Sequence, residues 1–205
     1  MRIVATLLLL TAWTSLATAQ DRMPPIPSDK MSDAQKKAVA EFEATRKRPL
    51  SGPFVPLLRS PEVMSRARAM GDYLRFASVL PPRLSEFVIL ITARRWTQQY
   101  EWDAHAPLAR QGGLAAETIL AIAEGRRPER MAPDEDAIYS FCDELHRLQS
   151  VSDATYARAA AAFGEQGVID ILGLSGYYTM LAMVLNTTRT PLPPGHPAPL
   201  PAFPR

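Results

Sequence analysis

The chain has one cysteine, Cys142, among 205 residues. A single thiol excludes an internal disulfide. Cys142 falls in the series Ile138, Phe141, Cys142, Leu145, Leu148, one face of a helix, and so reads as a core thiol rather than a reactive one. Charge of one sign is also scarce: 23 Lys and Arg face 21 Asp and Glu, a net charge of +2. With no basic stripe and no aromatic ladder, nucleic acid is excluded as a partner. A phosphate loop, a dinucleotide fingerprint and a G-x-S-x-G elbow are all missing. No stretch alternates apolar and polar residues as a strand would, so the expected fold class is all-α, in a single helical domain.

What the chain does have is apolar content, 47%, enough for a globular core. Residues 1–19 read as a signal peptide: Arg2, a largely apolar run from Ile3 to Trp13, and Ala17-Thr18-Ala19 before Gln20. The expected localisation is therefore exported, periplasmic or secreted, with no membrane attachment once the segment is removed. An extended lead-in covers 20–31, the domain 32–188, and a proline-rich tail 189–205, which is either disordered or a strap on the surface.

Within the domain, Ser32 to Gln35 has the capping-box form and opens a polar surface helix running to about Lys47. Pro49 to Ser60 reads as an apolar loop without regular structure, because it holds three prolines and a glycine. Ser60-Pro61 starts a helix expected to reach Val79, and Leu80-Pro81-Pro82 breaks it. The next helix carries Leu84, Phe87, Val88 and Ile91 inward, is interrupted near Thr97 to Gln99, and resumes from Tyr100 to Gln111 before Gly112-Gly113. Helices follow over 115–124 and 133–149, then one capped by Ser152 that Gly164 ends. A long apolar helix from Glu165 to Leu185 has the length of a membrane span. Asp170 near its start marks it instead as a central or subunit-interface helix.

The densest chemistry lies in Glu86 to His105. Glu101 and His105 are four residues apart, on one helix face, and a carboxylate beside an imidazole makes a proton-transfer pair. The same spacing also describes an ordinary surface pair worth a few tenths of a kcal/mol. Glu86 reaches the same spot if the two helices form a hairpin. Asp103 points to another face, and two ligands alone do not make a metal site, so no metal is expected. His146 reads as a helix-end residue and His196 as a solvated tail residue.

The order Glu86, Tyr100-Glu101-Trp102, His105, Ala109, Gly112 resembles the carboxymuconolactone decarboxylase family, strongly over about Leu80 to Glu124 and more loosely over Val168 to Asn186. The resemblance implies an alkylhydroperoxidase D-like helical bundle with a central helical hairpin, assembled as a homo-oligomer. In the alkylhydroperoxidase branch, a C-x-x-C pair would fall on Gln98 and Glu101, so thiol peroxidase activity is disfavoured. The decarboxylase branch lacks that pair. It implies a cofactor-free lyase or isomerase for a small carboxylated or lactone substrate, with catalytic residues His105, Glu101 and Glu86. Arg83, or Arg94 and Arg95, would hold a substrate carboxylate, and Gln98, Tyr100 and Trp102 would complete the substrate-binding set. The alternative is a non-catalytic ligand-binding or assembly module on the same fold.

Overall fold

A computed structural model describes residues 20–201. The signal-like segment and the last four residues of the tail lie outside the described residues. Those described form helices and no strand: α1 (Asp33–Arg46), α2 (Phe54–Leu57), α3 (Pro61–Phe76), α4 (Pro82–Arg95), α5 (Gln99–Gln111), α6 (Ala116–Ala123), α7 (Pro133–Leu148) and α8 (Asp153–Thr188), after a short 3-10 turn over Ser28–Lys30. Ser32 caps α1 with a complete capping box, and Ala38 and Phe42 are the buried side of an otherwise polar helix.

The centre is α4. Every residue from Leu84 to Arg94 is buried, not only the one face expected from its periodicity. A helix covered on all sides needs neighbours all round, and α4 has them in α3, α5, α6, α7 and α8. The α4–α5 connection is a tight reversal. Thr97 takes a left-handed φ of 46°. Gln98 then caps α5 by accepting from the Glu101 N–H at 3.0 Å. The reversal is pinned to α8: Trp96 Nε1 donates to Thr179 Oγ1 at 3.2 Å, and Asn186 Nδ2 donates to the Trp96 carbonyl at 3.1 Å.

Three expectations are corrected. The segment over 49–60 holds a helical turn, α2. Pro56 is its third residue, in the first turn, where no N–H is required. Ser60 makes no side-chain cap to α3. That helix ends at Phe76 rather than near Val79, for a tertiary reason. The buried Asp170 carboxylate of α8 accepts from the Val79 N–H at 3.1 Å and from Tyr73 Oη at 3.2 Å, which pulls the chain out of the helix.

Gly164, at φ 70° and ψ 173°, breaks α8 into two helical parts. The part beyond it is long and apolar enough to span a membrane. In this fold its buried side, including Ile171, Leu174, Tyr178 and Leu185, faces the core. The tail is a strap as far as Pro201. Leu200 is buried, exchanges two 2.8 Å hydrogen bonds with the Gln99 side-chain amide, and is flanked by Arg94 donating to the Pro201 carbonyl at 2.7 Å.

Candidate active site

The α4–α5 hairpin brings Glu86 opposite His105, and both are buried, at 7% and 5% exposure. His105 Nδ1–H donates to Glu86 Oε2 at 2.5 Å, which fixes the ring and its tautomer. Arg75 of α3 approaches the other Glu86 oxygen at 3.5 Å. On the far side of the ring, Nε2 lies 3.2 Å from Tyr178 Oη and 3.5 Å from Glu101 Oε2. The Tyr178 ring meets the imidazole edge-on, with centroids 5.1 Å apart. The helical spacing alone left the Glu101–His105 pair open as surface decoration; at 3% and 5% exposure it is a core pair.

Burial pushes the His105 pKa down. The hydrogen bonds and charges of Glu101 and Glu86 outweigh that, and the net shift is upward. Burial also raises the Tyr178 pKa well above that of a free phenol, so Tyr178 keeps its proton. Around neutral pH His105 is therefore biased toward its protonated form and Tyr178 is a neutral phenol, with Glu86, Glu101 and the Arg75 guanidinium packed around them. Two polar atoms of this group are buried with no hydrogen-bond partner among the described residues, Glu101 Oε1 and Arg75 Nε.

A cavity of about 400 Å³ opens on this cluster. His105, Glu101 and Tyr178 are part of its lining, and Arg46, Arg48, Arg75, Phe76, Tyr100 and Tyr177 are among its other polar and aromatic residues. Glu86 is not in the lining, so it stands behind the imidazole, and Nε2 is the nitrogen on the cavity side.

Of the residues singled out from the sequence, His105, Glu101, Glu86 and Tyr100 come together at or behind this cavity. The others do not reach its lining. The Arg83 guanidinium is taken by Asp134, at 2.6 Å, and by Glu135 at the start of α7. Gln98 is used in the turn, capping α5 and donating to Asn186 Oδ1 at 3.1 Å. Trp102 is buried in the core. Arg94 binds the tail, and Arg95 donates to the His146 carbonyl at 3.5 Å.

Sequence reasoning missed Arg75, Tyr178 and the α1-end arginines. For Tyr178 a signal existed: two adjacent tyrosines on an apolar helix need partners for their hydroxyls. Arg75 and Arg46 carried none, because only the packing of α3 on α8 and of α1 on α3 brings them to the cavity.

No protein-family model matches the chain. No curated protein matches it either. Solved structures do. A cysteine-to-alanine variant of the debrominase Bmp8, bound to 2,3,4-tribromopyrrole, superposes with TM-score 0.67 at 11% identity, over 89% of this chain and 95% of that one. The apo form of Bmp8 gives 0.65 at 11% identity, over 86% and 93%. A protein of unknown function from Agrobacterium tumefaciens, proposed to be the antioxidant defence protein AhpD, gives 0.55 at 18% identity, over 67% and 94%.

The fold is AhpD-like. At these identities the likeness fixes the architecture alone, and the AhpD-like fold has to be read for chemistry through the residues it places. Here the chain's one thiol lies elsewhere. Cys142 is buried in α7, 3.9 Å from Ser175 Oγ, and burial pushes its pKa up to about 12.

Proposed function

We propose that the chain is a cofactor-free acid–base enzyme, a lyase or isomerase acting on a small carboxylated or lactone substrate. The observation that carries this reading is the buried His105 held between Glu86 and Glu101, with Nε2 turned to a cavity of about 400 Å³. Glu86, backed by Arg75, keeps the Nδ1 proton in place and stabilises the imidazolium. That leaves Nε2 to exchange protons with substrate. In a decarboxylation, the bond to the carboxyl carbon breaks, carbon dioxide leaves, and the electron pair remaining on the substrate carbon takes the Nε2 proton. In an isomerisation, neutral His105 removes a proton beside a carbonyl and the imidazolium returns it at another carbon. Tyr178 Oη, 3.2 Å from Nε2, accepts from the Nε2–H of the imidazolium until substrate takes that proton. The signal-like N-terminus supports action outside the cytoplasm. Family resemblance supports a homo-oligomer.

The test is proton NMR in deuterium oxide with a panel of carboxylated γ-lactones and 3-oxo acids. The wild-type chain is expected to release carbon dioxide from, or exchange a C–H of, at least one member. His105→Ala should lower that rate by about 10²–10⁴-fold with helicity unchanged. Turnover by His105→Ala at the wild-type rate overturns the proposal. Tight binding of panel members without turnover favours the binding-module reading instead.

A further inference from the structure

Apart from Arg75, which backs Glu86, the wall built from α1, its following loop and α3 has no part in the proton transfer proposed above. Arg46 ends α1, Arg48 lies two residues on, and Arg75 and Phe76 end α3. Phe76 is 67% exposed, yet two guanidinium groups lie against its ring, Arg75 at 4.9 Å and Arg46 at 5.5 Å from the centroid.

The nearby charges do not cancel. Asp72 is shared by Arg46 at 2.7 Å and Arg68 at 3.0 Å. Glu86 is shared by Arg75 and His105, and Glu101 faces His105. Arg48 binds the Ser51 hydroxyl, stacks on Phe42 at 5.6 Å and has no carboxylate partner among the described residues. Four arginines thus face three carboxylates, and any proton on His105 adds to the excess. In the same cavity lining, Glu101 Oε1 is an acceptor with nothing to accept from among the described residues. An excess of positive charge together with a bare acceptor calls for a ligand with an anion and a hydrogen-bond donor.

We propose that Arg46, Arg48 and Arg75 seat the carboxylate of a planar unsaturated or aromatic acid that lies against Phe76, and that Glu101 Oε1 receives a hydroxyl or N–H of the same molecule. This rests on the cavity being the substrate site, and it narrows the substrate to hydroxylated or N–H-bearing planar acids. The guanidinium fork matches a flat carboxylate through two parallel hydrogen bonds, and the exposed phenyl ring favours a flat partner.

Titration calorimetry on the full chain tests this without any need for turnover. The probes are benzoate, the three hydroxybenzoates, cyclohexanecarboxylate, methyl benzoate and inorganic phosphate. One hydroxybenzoate should bind about tenfold tighter than benzoate. Benzoate should bind tighter than cyclohexanecarboxylate, and methyl benzoate and phosphate should bind least. Arg48→Met, at an exposed position that tolerates change, should weaken every acid about tenfold and leave methyl benzoate unaffected. Phe76→Leu should erase the preference for flat rings, and Glu101→Leu the preference for the hydroxyl. Equal binding of benzoate and methyl benzoate, phosphate competing as well as the acids, or acid affinity unchanged in Arg48→Met overturns the seat. If the acids bind as expected while His105→Ala leaves turnover intact, the seat stands and the acid–base reading falls. If neutral substrates turn over in a His105-dependent way and the arginine variants bind normally, the reverse holds.

Discussion

His105 is the residue whose protonation ties the site to the stability of the fold. Its pKa in the folded chain lies above the ordinary 6.5, because two carboxylates outweigh burial. A raised folded pKa means that the native state binds the proton more tightly than the unfolded chain does. The resulting stability is fully present below about pH 6.5 and is lost as pH rises through the folded value; each tenfold gain in proton affinity on folding contributes about 1.4 kcal/mol. Denaturant midpoints measured from about pH 6 to pH 9 should therefore fall on the alkaline side. In Glu86→Gln that slope should flatten. The same variant should lose about 1.5–3 kcal/mol near neutral pH, because it removes the charge-assisted hydrogen bond at 2.5 Å and the counter-charge of Arg75. Cys142 offers the opposite case. Fully buried, with its pKa pushed up to about 12, it should resist a thiol reagent in the native state. Cys142→Ala should keep whatever turnover the wild type shows.

Among the elements, the α4–α5 reversal sets the site, since it decides whether Glu86 meets His105. Thr97, β-branched at φ 46°, holds a strained conformation there. Thr97→Asn should stabilise the chain by up to about 1 kcal/mol in thermal unfolding, because asparagine tolerates that region. The packing of α3 on α8 is equally close. A Cβ built on Gly71 would lie 2.4 Å from Tyr177 Oη, in the side chain that lines the cavity. Gly71→Ala should cost about 1–3 kcal/mol and weaken ligand binding as Tyr177 is displaced. Neither site of strain was legible from propensity. The Thr97 to Gln99 interruption was visible as a break in the pattern, but its left-handed turn and its attachment to α8 through Trp96 and Asn186 depend on partners far away in sequence.

At the scale of the whole molecule, the tail is part of the fold. Leu200 is buried beside α5, and His196 Nδ1 donates to the Asp103 carboxylate at 2.9 Å, so a residue expected in solvent joins the strap. Truncation after Thr190 should lower stability by about 1.5–3 kcal/mol, the worth of one buried leucine, in a denaturant titration. Apart from α2, whose prolines read as loop, helix order was readable along the domain because its signals are local: the Ser32 box, the prolines at 61, 82 and 133, and the glycines at 112, 113, 125 and 164. The shortened α3 was not, because its end is set by Asp170, 91 residues from Val79.

By itself, then, the amino-acid order determined an all-α chain, its helical boundaries to within a few residues, and a glutamate and histidine on one helical turn. These follow from the periodicity of apolar side chains and from capping, both of which act over a few residues. The tertiary structure alone decided that the pair is buried, that Glu86 and Tyr178 grip opposite nitrogens of the ring, and that the arginines on the cavity come from α1 and α3 rather than from Arg83. Those outcomes depend on which helix faces meet. Arg83 is claimed by carboxylates at the start of α7, while Arg75 and Arg46, unmarked in the sequence, are brought to the site by the packing of α3 on α8 and of α1 on α3.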